Sequence, residues 1–527
     1  MARIVCRVSY CSAFAAAASL VFSTACAGPS ARAFVTVDSR ALAFTHVRVI
    51  DGTGAPAKDD QTVVVRDGKI QSIGDAAVLG APSDARAIDG RGKTLIPGLV
   101  GMHEHLFYEA GSSWVYLAQR PFARLYLASG VTTIRTAGAA DLDGDLKLKR
   151  DIDAGRVPGP DIDVTSPYLY AREGPPDPDS VRREVNKDAD RGATSFKAYE
   201  SLRGSELRAA IEAAHARGFR ITGHLCAVGF KEAAEMGIDN LEHGILVDTD
   251  FEPNKQPDVC PTDLADVTQV SITDIATDAA IRELIDDLVR HGVAVTSTLA
   301  IFESFTGNPE TTDPRLEEML APHLRAAYQD ARAKYMNPEA PGAHVWAAAL
   351  WHEMQFERAF VQAGGKLMAG VDPTGWGGVL AGFGDQRELE LLVLAGFTPE
   401  QAIKIATYNG ADFLYATDRI GSIRAGRQAD LVLVRGDPSR RIADIRNVET
   451  VFKDGVGYDP GALIAATRGT VGQYEFNIFR YPANLILLMV VVLVALIARR
   501  ALNARRRIAA RNQHVPGAAT PASGHAV

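Results

Sequence analysis

Residues 98–107 read GLVGMHEHLF, and the end of that run decides how the rest of the chain is read. It opens on small and apolar residues, as a short buried strand does, and closes with His103 and His105 two positions apart. Residues i and i+2 of a strand share a face, so both imidazoles can reach one point. Three later runs finish alike: TGHL (222–225) with His224, LEHG (241–244) with His243 and GVDP (370–373) with Asp372. Four imidazoles and a carboxylate are a donor set for divalent metal, provided their strands converge.

The chain between these motifs supplies the convergence. From about residue 97, strand-like runs such as GVTTIRTAG (130–138), FRITGHL (219–225) and GVAVTSTLA (292–300) alternate with helical ones such as SELRAAIEAAHARG (205–218) and FKEAAEMG (230–237). That alternation predicts an α/β fold with a parallel sheet, and six to eight units predict a closed (β/α)8 TIM-like barrel over 97–414. Strand C-terminal ends are where barrels of this kind gather their chemistry. The segment 302–360 is long and polar, with helical pattern in its second half, and reads as an insertion at the mouth of the site, a candidate lid. Before and after the barrel, ALAFTHVRVIDGTG (41–54), QTVVVRDGKIQSIG (61–74) and DRIGSIRAGRQADLVLVRGDP (418–438) alternate β-branched and polar residues. They predict a small composite β-sandwich domain from 34–96 and 415–461, with 462–480 as a linker.

Lys197, in TSFKAYE (194–200), is out of place in such a strand. A buried ammonium without a partner costs several kcal/mol. Lys197 is therefore either paired with a carboxylate such as Asp372 or not an ammonium.

The 527 residues carry a formal net charge of −8, which gives no reason to expect nucleic acid as a partner. No phosphate-binding loop or dinucleotide glycine fingerprint occurs. The ends read as targeting elements. Residues 1–27 combine Arg3 and Arg7 with SAFAAAASLVFSTACA and end in an A-x-A pattern at Ala25 and Ala27, as a cleavable export signal does. Lipid attachment at Cys26 is the alternative. Residues 481–498, YPANLILLMVVVLVALIA, are uncharged and long enough for one transmembrane helix, and the Arg-rich 499–527 predicts a cytoplasmic tail. The expectation is a single-pass protein of the inner (plasma) membrane, its catalytic part on the periplasmic side. Such a compartment permits a disulfide between Cys226 and Cys260, and two free thiols fit equally.

With these motifs in hand, the chain resembles the amidohydrolase superfamily, in its imidazolonepropionase-like and prolidase-like branch. The likeness runs over about residues 40–460. IDGRGKTLIPGLVGMHEHL (88–106) is similar to the family's approach to strand 1, and AAEMGIDNLEHG (233–244) to its strand 6. The resemblance implies hydrolysis of an amide in a dipeptide or N-acyl amino acid. It implies two divalent ions, Zn²⁺ by ligand type: one on His103, His105 and Asp372, the other on His224 and His243. Lys197, carboxylated by CO2 to N6-carboxylysine, would bridge them, and Asp372 would serve as general acid–base. Tyr168, Tyr170 and Trp376 are candidates for touching substrate, and a homo-oligomer is compatible with the pattern. Gly101 and Thr136 depart from the family, which often has Asp at each place. Within the enzyme class the alternative is a one-metal ring opener of cyclic amides. Outside it, the alternative is a barrel kept as a non-catalytic binding module.

Overall fold

The computed structural model describes residues 30–473 apart from 112–114, 254, 262–269, 271–272, 309–312 and 341, together with 489, 493, 496, 499 and 500. Two units result, 1–473 and 474–527. The expected export signal and Cys26 lie outside the described residues, as do nearly all of the apolar run 481–498 and the basic tail. Among the described residues, no helix is long and apolar enough to cross a membrane.

The β-rich flanks form one sheet. Strands β1 (Val35–Val37), β2 (Ala41–Val49), β3 (Lys58–Arg66), β4 (Lys69–Asp75), β5 (Arg86–Asp89) and β6 (Lys93–Pro97) come from the N-terminal side. The order is β1-β20-β19-β18-β6-β2-β3-β4 with β5 beside β2, so C-terminal strands β18 (Leu431–Arg435), β19 (Val448–Lys453) and β20 (Val456–Tyr458) sit inside the sheet. Leu431–Arg435 pairs antiparallel with Lys93–Pro97, tying the chain's two ends together just before the first metal motif. Alternating apolar side chains give this sheet its own core, in which the Phe44 and Phe452 rings meet edge to face at 5.0 Å.

The residues between are a barrel. Its strands are β7 (Leu99–Glu104), β10 (Val131–Thr136), β11 and β12 (Asp161–Asp163 and Thr165–Leu169), β13 (Ser195–Ala198), β14 (Arg220–Gly223), β15 (Asn240–Glu242), β16 (Ala294–Ser297) and β17 (Leu367–Ala369). A small hairpin, β8 (Phe107–Tyr108) with β9 (Tyr116–Leu117), follows the first. The barrel pairs are all parallel. β11 pairs with β10 and β12 with β13, so 161–169 is one barrel strand broken at Val164, and the described strands number eight. Backbone bonds from Val371 and Asp372 N–H to His103 O bring the last strand back to the first.

Helices cover the outside, joined to the strands by one large apolar core. Phe196 of β13 joins that layer and meets Phe219 at 6.1 Å, and period-2 alternation turns the next residue, Lys197, to the inside. At the N-terminal ends of the strands, Phe413 packs with Val100, Met102 and Met368, and Arg220 lies 4.1 Å over its ring. The second half of 302–360 is helical, as its pattern implies, in helix Ala343–Gln362, and helix Pro322–Tyr335 begins ahead of it, polar residues forming the outer faces of amphipathic turns. One sequence reading needs correction. The stretch from Ala462 is not a bare linker. Helix Pro460–Ala465 packs down, Thr467 and Val471 are fully buried, and Val471 bridges to Leu320.

Candidate active site

The ends of four strands, β7, β14, β15 and β17, bring five side chains to the same spot. His105 Nε2 lies 3.0 Å from Asp372 Oδ1, His103 Nε2 3.7 Å from the same oxygen, and His243 Nε2 3.9 Å from Oδ2. The His103 and His243 rings are 4.4 Å apart, and the His224 ring is 4.5 Å from that of His243. Two of these residues hold left-handed backbone, His243 at φ 71° and Asp372 at φ 50°. Non-glycine residues rarely sit there, and they do so where the surrounding structure over-determines them, as at functional sites.

The electrostatics keep the donors ready for a cation. Burial pushes His103 down to about 4 and His224 to about 3, with the charge of Lys197 adding to both. His243 is held well below its ordinary value by burial and by its neighbours His103 and His224. All three are thus neutral imidazoles, the form that offers a lone pair. Burial alone would raise Asp372, but His103 and His105 outweigh it and hold the carboxylate ionised. Among the described residues, His243 Nε2 is buried without a hydrogen-bond partner, and the ligand atoms of His103, His105 and Asp372 all lie within 4.8 Å of one another. Buried polar atoms are normally satisfied, so this donor set fits a divalent ion.

Lys197 is buried to 1% exposure, and Nζ makes no hydrogen bond. Its nearest acidic oxygen is Glu242 Oε1 at 3.6 Å, not Asp372. At that distance the contact is an ion pair rather than a hydrogen bond. Glu242 is already engaged: Arg135 donates to Oε1 at 2.7 Å, Thr222 Oγ1 donates to the same oxygen, and His103 Nδ1 donates to Oε2 at 2.8 Å. Burial would raise Glu242, yet Lys197 and Arg135 together hold it well below the usual carboxylate range. One anion thus faces two potential cations. Burial accordingly lowers Lys197 to about 8, despite the opposing pull of Glu242.

Three comparisons bear on this geometry. The model of the amidohydrolase family matches residues 354–457, which contain Asp372 and the return into β18 and β19. Two curated relatives are the enamidase of Eubacterium barkeri, 31% identical over 118 residues, and the imidazolonepropionase of Idiomarina loihiensis, 36% identical over 101. Over these stretches the chain is similar to the amidohydrolase family. The matched stretches cover 22% and 18% of this chain, and only 29% and 24% of those relatives. Two solved structures share the fold far more extensively. A putative prolidase from Bifidobacterium longum superposes with a TM-score of 0.59 at 23% identity, covering 81% of this chain and 99% of that one. A Xaa-Pro dipeptidase with methionine bound gives 0.60 at 21%, covering 80% and 100%.

The two departures from the family pattern have structural reasons. A side chain on Gly101 would meet Glu104 Oε1 at 2.5 Å, because the Glu104 side chain folds into that space. Thr136 accepts from the Thr165 backbone N–H at 2.8 Å, lacing β10 to the start of β12 where the ladder is interrupted. Of the expected substrate residues, Tyr168 pairs in register with Lys197, and its ring is 6.4 Å from that of His105. Tyr170 stands half exposed at the rim, and Trp376 stacks instead on Tyr335 at 4.2 Å. Sequence reasoning missed Glu242 and Arg135. Both are charged residues inside apolar strand runs, the same signal that singled out Lys197.

Proposed function

We propose that this chain is a member of the amidohydrolase superfamily and a metal-dependent hydrolase of amide bonds. The observation that carries the reading is the gathering of His103, His105 and His243 around Asp372, with buried nitrogens left unpartnered. His103, His105 and Asp372 would hold one divalent ion and His224 with His243 the other, Zn²⁺ suiting the ligand types. Such ions supply Lewis-acid activation of water and of the scissile carbonyl. Asp372, held ionised, accepts the proton of the attacking water and returns it to the departing amine. His105, 3.0 Å away, fixes that carboxylate, and Glu242 fixes the ring of His103.

The reading of Lys197 as N6-carboxylysine is supported by its burial, by an Nζ that makes no hydrogen bond and by the prior engagement of Glu242 with Arg135 and His103. As the neutral amine, the Lys197 nitrogen bonds to the carbon of CO2 and one proton leaves to solvent. The resulting carbamate anion suits a bridge between two ions. The relatives and structural neighbours named as prolidase, dipeptidase and imidazolonepropionase support amides generally, with a dipeptide or N-acyl amino acid as the starting class.

A one-metal reading has its own support: among the described residues, one group, His103, His105 and Asp372, has three ligand atoms mutually within 4.8 Å. Elemental analysis beside amide hydrolysis separates the two. Two ions per active chain are expected; one ion with full activity favours the ring-opening alternative, and activity surviving complete metal removal overturns the proposal. Export and a C-terminal anchor are proposed with it, supported by the signal-like 1–27, the apolar 481–498 and the Cys226–Cys260 disulfide. Firm membrane association after deletion of 481–527 would refute the anchor.

A further inference from the structure

The loops at the C-terminal ends of the barrel strands form the approach to the site, and their charges are one-sided. Residues 105–118, 137–141, 224–229 and 370–382, following β7, β10, β14 and β17, contain no Lys or Arg at all. Cations in the other approach loops are engaged elsewhere. Arg203 holds Glu206 through two bonds of 2.8 Å, Lys255 donates to Ala227 O at 2.6 Å, Arg172 pairs with Glu184 at 3.6 Å and Arg315 with Asp313 at 2.6 Å. Lys334 lies over the ring of Tyr335. Residues 112–114, 254, 262–269, 271–272, 309–312 and 341 include no Lys or Arg in sequence either.

What does line the approach is aromatic and acidic. Tyr199 stands 4.7 Å from Tyr168, 5.3 Å from Tyr170 and 5.0 Å from His224, ring to ring. Across the site, Phe302 lies 5.8 Å from His243 and stacks on Trp346. Glu200 Oε1 is 3.7 Å from His224 Nε2. Glu109, in the loop after the His103–His105 pair, acts electrostatically on His105, Asp372 and all three tyrosines. Away from the metal position, the distal carboxylate of a substrate would meet these carboxylates and ring faces, the described Lys and Arg named above being engaged with other groups. A positive group would meet π faces and two acids.

Resting on the amidohydrolase reading above, we propose that the site selects amides whose distal end is an organic cation, held against Tyr170 and Tyr199 by Glu109 and Glu200, over amides ending in a free carboxylate. Within that starting class, this favours dipeptides and N-acyl amino acids whose carboxylate is capped and whose far end carries an amine.

The test is calorimetric binding of phenethylammonium and 3-phenylpropionate, matched in size and opposite in charge, to the purified full chain. The cation should bind about tenfold more tightly or better. In the Glu109→Gln, Glu200→Gln double variant that ratio should fall by about the same factor, and taking the ratio of variant to wild type cancels any carboxylate affinity for bound metal. Equal or tighter binding of 3-phenylpropionate by wild type, or a ratio unmoved in the double variant, overturns the proposal. Hydrolysis of the neutral amide acetanilide, read in the same preparations, reports on the hydrolase reading separately.

Discussion

Glu242 Oε2 lies 2.8 Å from His103 Nδ1, which fixes which nitrogen of that imidazole faces the metal position. The other oxygen receives Arg135 at 2.7 Å, so the carboxylate is locked in place from both sides. Partners behind a ligating histidine orient the ring and raise its basicity.

Glu242→Gln should therefore weaken metal binding by about 10–100-fold. The amide keeps the volume but replaces an anion between Arg135, Lys197 and His103 with a neutral group. Competition against a chelating dye reads the affinity directly, and a thermal melt on the same sample separates ligand loss from unfolding. Unchanged affinity in a folded variant would remove Glu242 from the metal-binding machinery.

Asp145 gives a pH dependence away from the site. It is buried at the start of helix Leu142–Asp153, with Gln119 Nε2 donating at 3.3 Å. Burial raises its carboxyl to about 7, only partly offset by Gln119. A raised acid favours the fold in its neutral form. Its contribution is complete below the unfolded pKa near 4, and it is lost as pH rises through 7. Asp145→Asn should be more stable than wild type at pH 8, by on the order of 1–4 kcal/mol, with the gap closing towards pH 4. Urea melts at pH 4.5 and 8 check this, and a pH-independent difference would contradict it.

Cys226 and Cys260 are joined across 34 residues, linking the loop that carries His224 to the long loop after β15. Closing a loop of that length restricts the unfolded chain by about 3–4 kcal/mol. Cys226→Ser should lose about that stability, and peptide mapping of the unreduced protein should recover the two cysteines as one linked pair. Recovery of both as free thiols would refute the pairing.

The barrel was legible because strand ends bearing His or Asp repeat along 97–414, and a parallel barrel has one place to put such ends. The companion sheet was legible from two β-textured flanks, since edge strands must find partners. What could not be read was the network behind the ligands. Glu242 neighbours His243 in sequence, and nothing in spacing tells that it reaches back to His103, 139 positions away. Glu109 and Tyr199 escaped notice because they lie in loops, whose meeting depends on closure of the whole barrel.

Lys197 tests the site most directly. If it is a carbamate bridging two ions, what matters is a pair of anionic oxygens at the end of β13. Lys197→Ala should keep its fold, since Phe196 still packs with Phe219 outside the barrel and Glu242 retains Arg135. It should lose most of its metal and nearly all activity. Lys197→Arg should fail as well, because a guanidinium stays charged and cannot take up CO2. Acetate or propionate added with metal can enter the space that the shortened side chain leaves, and should restore part of the activity in a concentration-dependent way. Chloride should not. Wild-type activity in Lys197→Ala without any added acid would return Lys197 to the role of a structural cation paired with Glu242.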